Sequence, residues 1–190
     1  CVASYEALIN DLGYSPDQIA FGGDSAGGNV SLVTSLKLKE LGKQLPAAII
    51  CISPWADPAA TGESYNPEMA EKDLLIGPIF KRMWDKYSLD GFGGYYVKKE
   101  DLDSENPYIC PIKGDYIDIP PIMVQVGGDE LLLSDSRTLK EVFERDGVVY
   151  EYKEWDNLWH VFQIEAKMPE SIESFKMFAN FLNKHIGVKV

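Results

Sequence analysis

Ile19-Ala20-Phe21-Gly22-Gly23-Asp24-Ser25-Ala26-Gly27-Gly28-Asn29 is the stretch on which the reading of the whole chain turns. Three apolar residues suited to a buried strand run into Gly23-Asp24-Ser25-Ala26-Gly27, a G-x-S-x-G pattern, and a helix-like segment follows at once. A serine on a sharp strand-to-helix turn is held in a strained backbone conformation. Close packing there leaves no room for side chains two residues to either side, and glycine at both flanks relieves the crowding. The five residues alone recur by chance, so context carries the weight: the strand before, the helix after, and the extra glycines Gly22 and Gly28. Gly-rich strand-to-helix turns also cradle phosphates. That alternative requires G-x-G-x-x-G or a terminal Gly-Lys-Ser/Thr, and neither is present. The stretch reads as a nucleophile elbow.

Working outward, the 190 residues are 45% hydrophobic and 25% charged, the make-up of one globular domain with a sizeable core. A net charge of -12 repels phosphate backbones, which argues against nucleic acid as a partner, and no apolar run approaches membrane-spanning length. Three cysteines do not make a disulfide framework. Cys51 lies in an apolar strand as a buried, inert thiol, while Cys1 and Cys110 have no partner at metal-ligand spacing. With two histidines and no Cys/His cluster, no metal site is expected. No signal peptide is visible and no initiator methionine either. The expected location is the cytoplasm, with a leader ahead of Cys1 left open.

Val2, Tyr5, Leu8, Ile9 and Leu12 recur at helical spacing up to Gly13. A second helix is expected from the elbow to about Leu41, closed by Gly42, followed by a buried strand over Ala47 to Ile52. Residues 57–106 break the rhythm. Ile79, Phe80, Met83, Trp84 and Tyr87 make an apolar stripe behind Pro78, and Gly91 to Tyr96 reads as an aromatic-rich loop. This segment is a candidate lid or cap insertion, its stripe packing either over a substrate or on the body of the domain. Strands are further expected over Ile122 to Val126 and Val148 to Trp155, the second at a sheet edge by its mix of Val, Tyr, Glu and Lys. Helices are expected over Asp135 to Arg145, with Ser134 as N-cap, and over Pro169 to Ile186. Strands alternating with helices define a single α/β domain with a mostly parallel sheet.

Loops at the carboxyl ends of such strands converge on one edge, where ligands bind. Ser25 follows the first strand, Asp129 the third and His160 the fourth. Serine is a poor nucleophile at neutral pH unless a base takes its proton, and imidazole has the matching pKa. A carboxylate must then hold the imidazole and stabilise its cation. Asp129 is preferred for that role as the first carboxylate off the strand end. Glu130 and Asp135 remain alternatives, Asp135 more naturally supporting the turn from behind. His185, the other histidine, sits in the last turn of a helix, where the dipole explains it. Ser53 also ends a strand, but a proline follows it and no glycine elbow surrounds it.

Gly23-Asp24-Ser25-Ala26-Gly27-Gly28-Asn29, Ser53-Pro54-Trp55, Asn106-Pro107-Tyr108, Gly128-Asp129-Glu130-Leu131-Leu132 and His160-Val161-Phe162 together resemble the hormone-sensitive-lipase-like family of α/β-hydrolases. The order Ser, Asp, His matches that fold. The resemblance implies a serine carboxylesterase working through an acyl-enzyme on ester substrates, with Ser25 as nucleophile, His160 as base and then acid, Asp129 as its orienter and the backbone N–H of Ala26 as an oxyanion donor. It implies no cofactor. Trp55, Leu132 and Trp159, close in sequence to these groups, are expected to line an apolar pocket for short to medium acyl chains. The expected partner is a small-molecule ester, with homo-oligomerisation left open.

Members of that family also carry a His-Gly-Gly-Gly motif upstream of the elbow that completes the oxyanion hole, and nothing in these 190 residues matches it. The sequence therefore reads as the carboxyl-terminal part of an α/β-hydrolase fold with a partial lid insertion, incomplete at its amino end. Two other readings follow from the same departure: a catalytically weak or inactive fragment, and a binding protein on a hydrolase fold.

Overall fold

The computed structural model describes residues 1–87 and 104–187. Its centre is a four-stranded sheet in the order β1 (Ala20–Asp24), β2 (Ala48–Ile52), β3 (Ile122–Gly127) and β4 (Tyr150–Trp155). All three pairings are parallel, and the register runs Gly23 to Cys51, Cys51 to Val124 and Val124 to Tyr152. Every residue of β3 is buried, as a central parallel strand covered on both faces must be. The polar β4 is an edge, as its composition predicts. At the other end β1 pairs only with β2 among the described residues, and none of its five residues is buried.

Alternation along β2 separates two cores. Ile49 and Cys51 face one way, packing with Leu32 and Leu36 of α2 (Ala26–Glu40) and with Leu139, Val142 and Phe143 of α5 (Leu133–Asp146). Ala48 and Ile50 face the other way, against Phe178 and Phe181 of α6 (Pro169–His185). The first helix, α1 (Val2–Asn10), leans Tyr5 on Ile19 and Leu38 beside β1. An open groove of about 380 Å³ runs past Tyr5, Phe21, Gly22, Gly27 and Val30 along the free side of β1.

Two elements depart from the sequence reading. Helix α5 begins at Leu133, ahead of the expected Asp135, and Ser134 is not its cap: the Ser134 hydroxyl meets that of Ser64 at 2.5 Å. The insertion contains a short helix, α3 (Pro67–Lys72), before α4 (Gly77–Tyr87). In α4 Phe80 is buried while Ile79 is exposed, so the apolar stripe is used in part. The side chains of Met83, Trp84 and Tyr87 and the loop Gly91 to Tyr96 lie outside the described residues.

Candidate active site

Ser25 is the first residue beyond β1, with φ 53 and ψ −119, a conformation that side-chain-bearing residues rarely adopt. Its N–H donates to Ile52 O at 2.9 Å, and its carbonyl accepts from Trp55 N at 3.0 Å. The turn is thus tied to the end of β2 on both sides. A Cβ on Gly23 would stand 2.3 Å from the backbone of Gly27, so the elbow closes only with glycine there. Gly27 differs from expectation: a Cβ would meet nothing within 4 Å, because this side of the turn opens on the groove beside β1. Ala26 opens α2, so its N–H is one of the four that a helix leaves without an internal acceptor. Asn29 donates to Trp55 O at 2.9 Å and Ile109 O at 3.2 Å, fixing the flanking loops to the elbow.

His160 is 2% exposed, and its Nδ1 lies 3.2 Å from Oε1 of Glu130, which is 0% exposed. The pairing of His160 with Asp129 expected from sequence is therefore corrected: the carboxylate that meets the imidazole belongs to Glu130. Asp129 is half-buried at the turn, where its backbone N–H donates to Leu158 O at 2.9 Å. One residue further on, the longer Glu130 side chain folds back over the strand end and accepts from Gly127 N at 2.7 Å on Oε2. Close approach of the two loops makes this possible. A Cβ on Gly127 would stand 2.2 Å from Leu158 O.

Ser53 joins these pieces. Its hydroxyl donates to Glu130 Oε2 at 2.7 Å and accepts from Val161 N at 3.2 Å. Ser53 and Val161 both have left-handed backbones, φ 45 and φ 50, and for a β-branched valine that is a strained conformation. Strained backbone thus sits at the ends of β1 and β2 and beside His160. Sequence reasoning kept Glu130 only as an alternative to Asp129 and set Ser53 aside, and no local pattern marks either in its role.

Asp135 supports the neighbouring loop as expected. Its Oδ2 accepts from Ala56 N at 2.9 Å, Asp57 N at 2.8 Å and Tyr65 Oη at 3.1 Å. Burial, with the Asp57 carboxylate adding to it, holds its carboxyl well above the ordinary range. Trp55 and Leu132 share a buried cluster with Tyr65, Phe80 and Leu131, against which Ala26 packs. Trp159 packs against a different cluster, that of Trp155, Leu158 and Phe162. The Cys51 thiol is buried and pushed up to about 12. Among the described residues no three His, Cys, Asp or Glu side chains stand together as metal ligands do, and no helix is long and apolar enough to cross a membrane.

A family model described as the alpha/beta hydrolase fold matches residues 1–164. An acetyl-hydrolase of Streptomyces hygroscopicus is 32% identical over 98% of this chain and 58% of its own length. The crystal structure of an esterase from the bacterial hormone-sensitive lipase family superposes with a TM-score of 0.85 at 36% identity, over 98% of this chain and 59% of that one. The esterase EstE5, crystallised and soaked with p-nitrophenyl butyrate, superposes with a TM-score of 0.82 at 32% identity, over 96% and 58%. The chain spans little more than half the length of these relatives.

Proposed function

From the premise that the chain belongs to the alpha/beta-hydrolase fold family and is similar to its hormone-sensitive-lipase esterases, we propose that it hydrolyses carboxylic esters through Ser25, His160 and Glu130. The observation that carries the reading is the buried His160–Glu130 pair standing on the same sheet edge as a strained serine elbow. Glu130 accepts at Nδ1, which makes that nitrogen the N–H donor and leaves Nε2 as the proton acceptor.

Nε2 takes the proton as Ser25 Oγ attacks the ester carbonyl, and Glu130 stabilises the imidazolium that results. The N–H of Ala26 donates to the oxyanion. His160 then returns its proton to the leaving alcohol, giving an acyl-enzyme, and activates the water that releases the acid. Trp55 and Leu132, beside Ala26, bound the acyl side, and the 57–106 insertion, whose Tyr65, Ala70 and Phe80 join the same cluster, serves as its cap. That compact, aromatic surrounding favours short to medium acyl groups, the class to which the butyrate ester soaked into the EstE5 crystals belongs.

The test is labelling of the full-length protein with a sulfonyl fluoride or an organophosphonate, followed by peptide mapping. Ser25 is expected as the single modified serine, with loss of p-nitrophenyl ester turnover in proportion. An adduct on Ser53, or turnover that survives Ser25→Ala, would overturn the proposal, and a rate maximum on long-chain emulsions would overturn the acyl range.

A further inference from the structure

The Ser53 hydroxyl has no nucleophile's surroundings, yet it is 1% exposed, on a strained backbone, between the two loops that carry Glu130 and His160. Its backbone N–H donates to Gln125 O at 2.7 Å, so the residue is held from β3 as well. A carboxylate with no exposure needs donors. Glu130 has the His160 ring on Oε1, and Gly127 N together with Ser53 Oγ on Oε2. Removing the Ser53 hydroxyl leaves Oε2 with a single donor and frees Val161 N, the amide that follows His160.

We propose that Ser53 is a positioning residue, whose hydroxyl locks the Glu130 carboxylate and the His160 loop in the arrangement that sets the imidazole for proton transfer. The inference rests on the esterase reading above. Ser53 touches no reacting atom and acts through Glu130 and Val161. Its left-handed φ is part of the device, because the backbone must bend there for one hydroxyl to face both loops.

The test uses Ser53→Ala and Ser53→Gly in the full-length protein. Glycine accepts φ 45 without strain, so it removes the hydroxyl and keeps the backbone path. Both variants are expected to lose about tenfold to a hundredfold in kcat on p-nitrophenyl butyrate, with KM within about twofold of native, as a lost hydrogen bond to a buried charge predicts. The downfield proton resonance of His160 Nδ1–H is expected to move in both. Should neither fold, Ser53→Cys keeps shape and weakens both contacts, and a smaller fall in kcat at unchanged KM is expected. Native kcat in any folded variant, or a rise in KM alone, would overturn the proposal. If the native protein hydrolyses no ester, the esterase reading fails first. The resonance then still decides whether Ser53 sets the His160–Glu130 contact, and an unmoved signal would refute it.

Discussion

The rim formed by the strand ends and the insertion behind it both bury polar side chains, but they satisfy them in different ways. At the rim, Glu130 faces a titratable imidazole, and the connection runs through a second side chain, Ser53. In the insertion, carboxylates face backbone N–H groups and one hydroxyl, that of Thr61, which donates to Asp57 at 2.6 Å. Asp73 accepts from Leu75 N and Ile76 N at 3.1 Å and from Leu131 N at 3.0 Å, while Asp57 accepts from Ala59 N at 3.1 Å and Thr61 N at 2.7 Å. Backbone donors cannot take or give a proton at neutral pH, so such carboxylates fix a loop's shape. A buried carboxylate against an imidazole is placed for charge to appear and vanish beside it. Left-handed backbone does not follow this division: it occurs at Ser25, Ser53 and Val161 on the rim and at Ala60 in the insertion, since strain of this kind persists wherever its surroundings hold it.

The sharpest way to break that comparison is at Glu130. Glu130→Gln keeps shape but removes the charge that steadies the imidazolium and dictates the tautomer, and kcat should fall by about ten-thousandfold. Asp129→Asn, one residue away and half-buried at the turn, should leave kcat within about threefold. Steady-state rates on p-nitrophenyl butyrate decide between them. Equal losses in the two variants would return Asp129 to the mechanism.

These two neighbours also mark where sequence stops being sufficient. The elbow is legible because its requirements are local: a strand, a tight turn with Gly23 against the Gly27 backbone, and a helix. Apolar runs likewise announce β2 and β3. Which of two adjacent carboxylates turns back over the strand end is set by the approach of the Leu158 backbone to Gly127 and by a hydroxyl far away in sequence, and neither leaves a pattern. The start of α5 fails for a related reason. Ser134 has the chemistry of a cap, but Ser64 competes for it, and a tertiary contact overrides the local preference. Helix α3 is a signal overlooked rather than missing. Asn66 caps it through Met69 N at 2.9 Å, and Pro67 occupies its first turn.

On the insertion side a large effect on stability should come with a small one on catalysis. The Ser64 hydroxyl donates to Leu131 O at 2.6 Å and accepts from Ser134 N at 3.0 Å, joining the insertion to the start of α5. Ser64→Ala should cost about 1–3 kcal/mol in urea unfolding, the penalty for buried groups left without partners. Turnover should stay within about twofold, because no proton passes through this contact. A fall in kcat as deep as that of Ser53→Ala would erase the distinction between the two regions.

The smallest expected effect concerns pH. Burial, reinforced by the Asp57 carboxylate and opposed by the N–H donors of Asp57 and Ala56, holds the Asp135 carboxyl well above its ordinary 3.8. Its Oδ1 accepts no hydrogen bond among the described residues and is the oxygen a retained proton would occupy. For an acid whose folded value is raised, the folded state keeps a proton that the unfolded chain has already released. The folded state therefore binds more protons above about pH 3.8, and stability contributed by this group falls as pH rises toward the folded value. Asp135→Asn has no such proton to lose, and its amide oxygen still accepts from Ala56 and Asp57. Native protein should lose more stability between pH 5 and pH 8 than Asp135→Asn does, read as a larger fall in the urea midpoint. Other titrating groups are common to both proteins and cancel in the difference. Parallel curves would mean that Asp135 is ionised throughout, with its three donors outweighing burial, and the first turn of α5 would then hold a buried charge of the kind found at the rim.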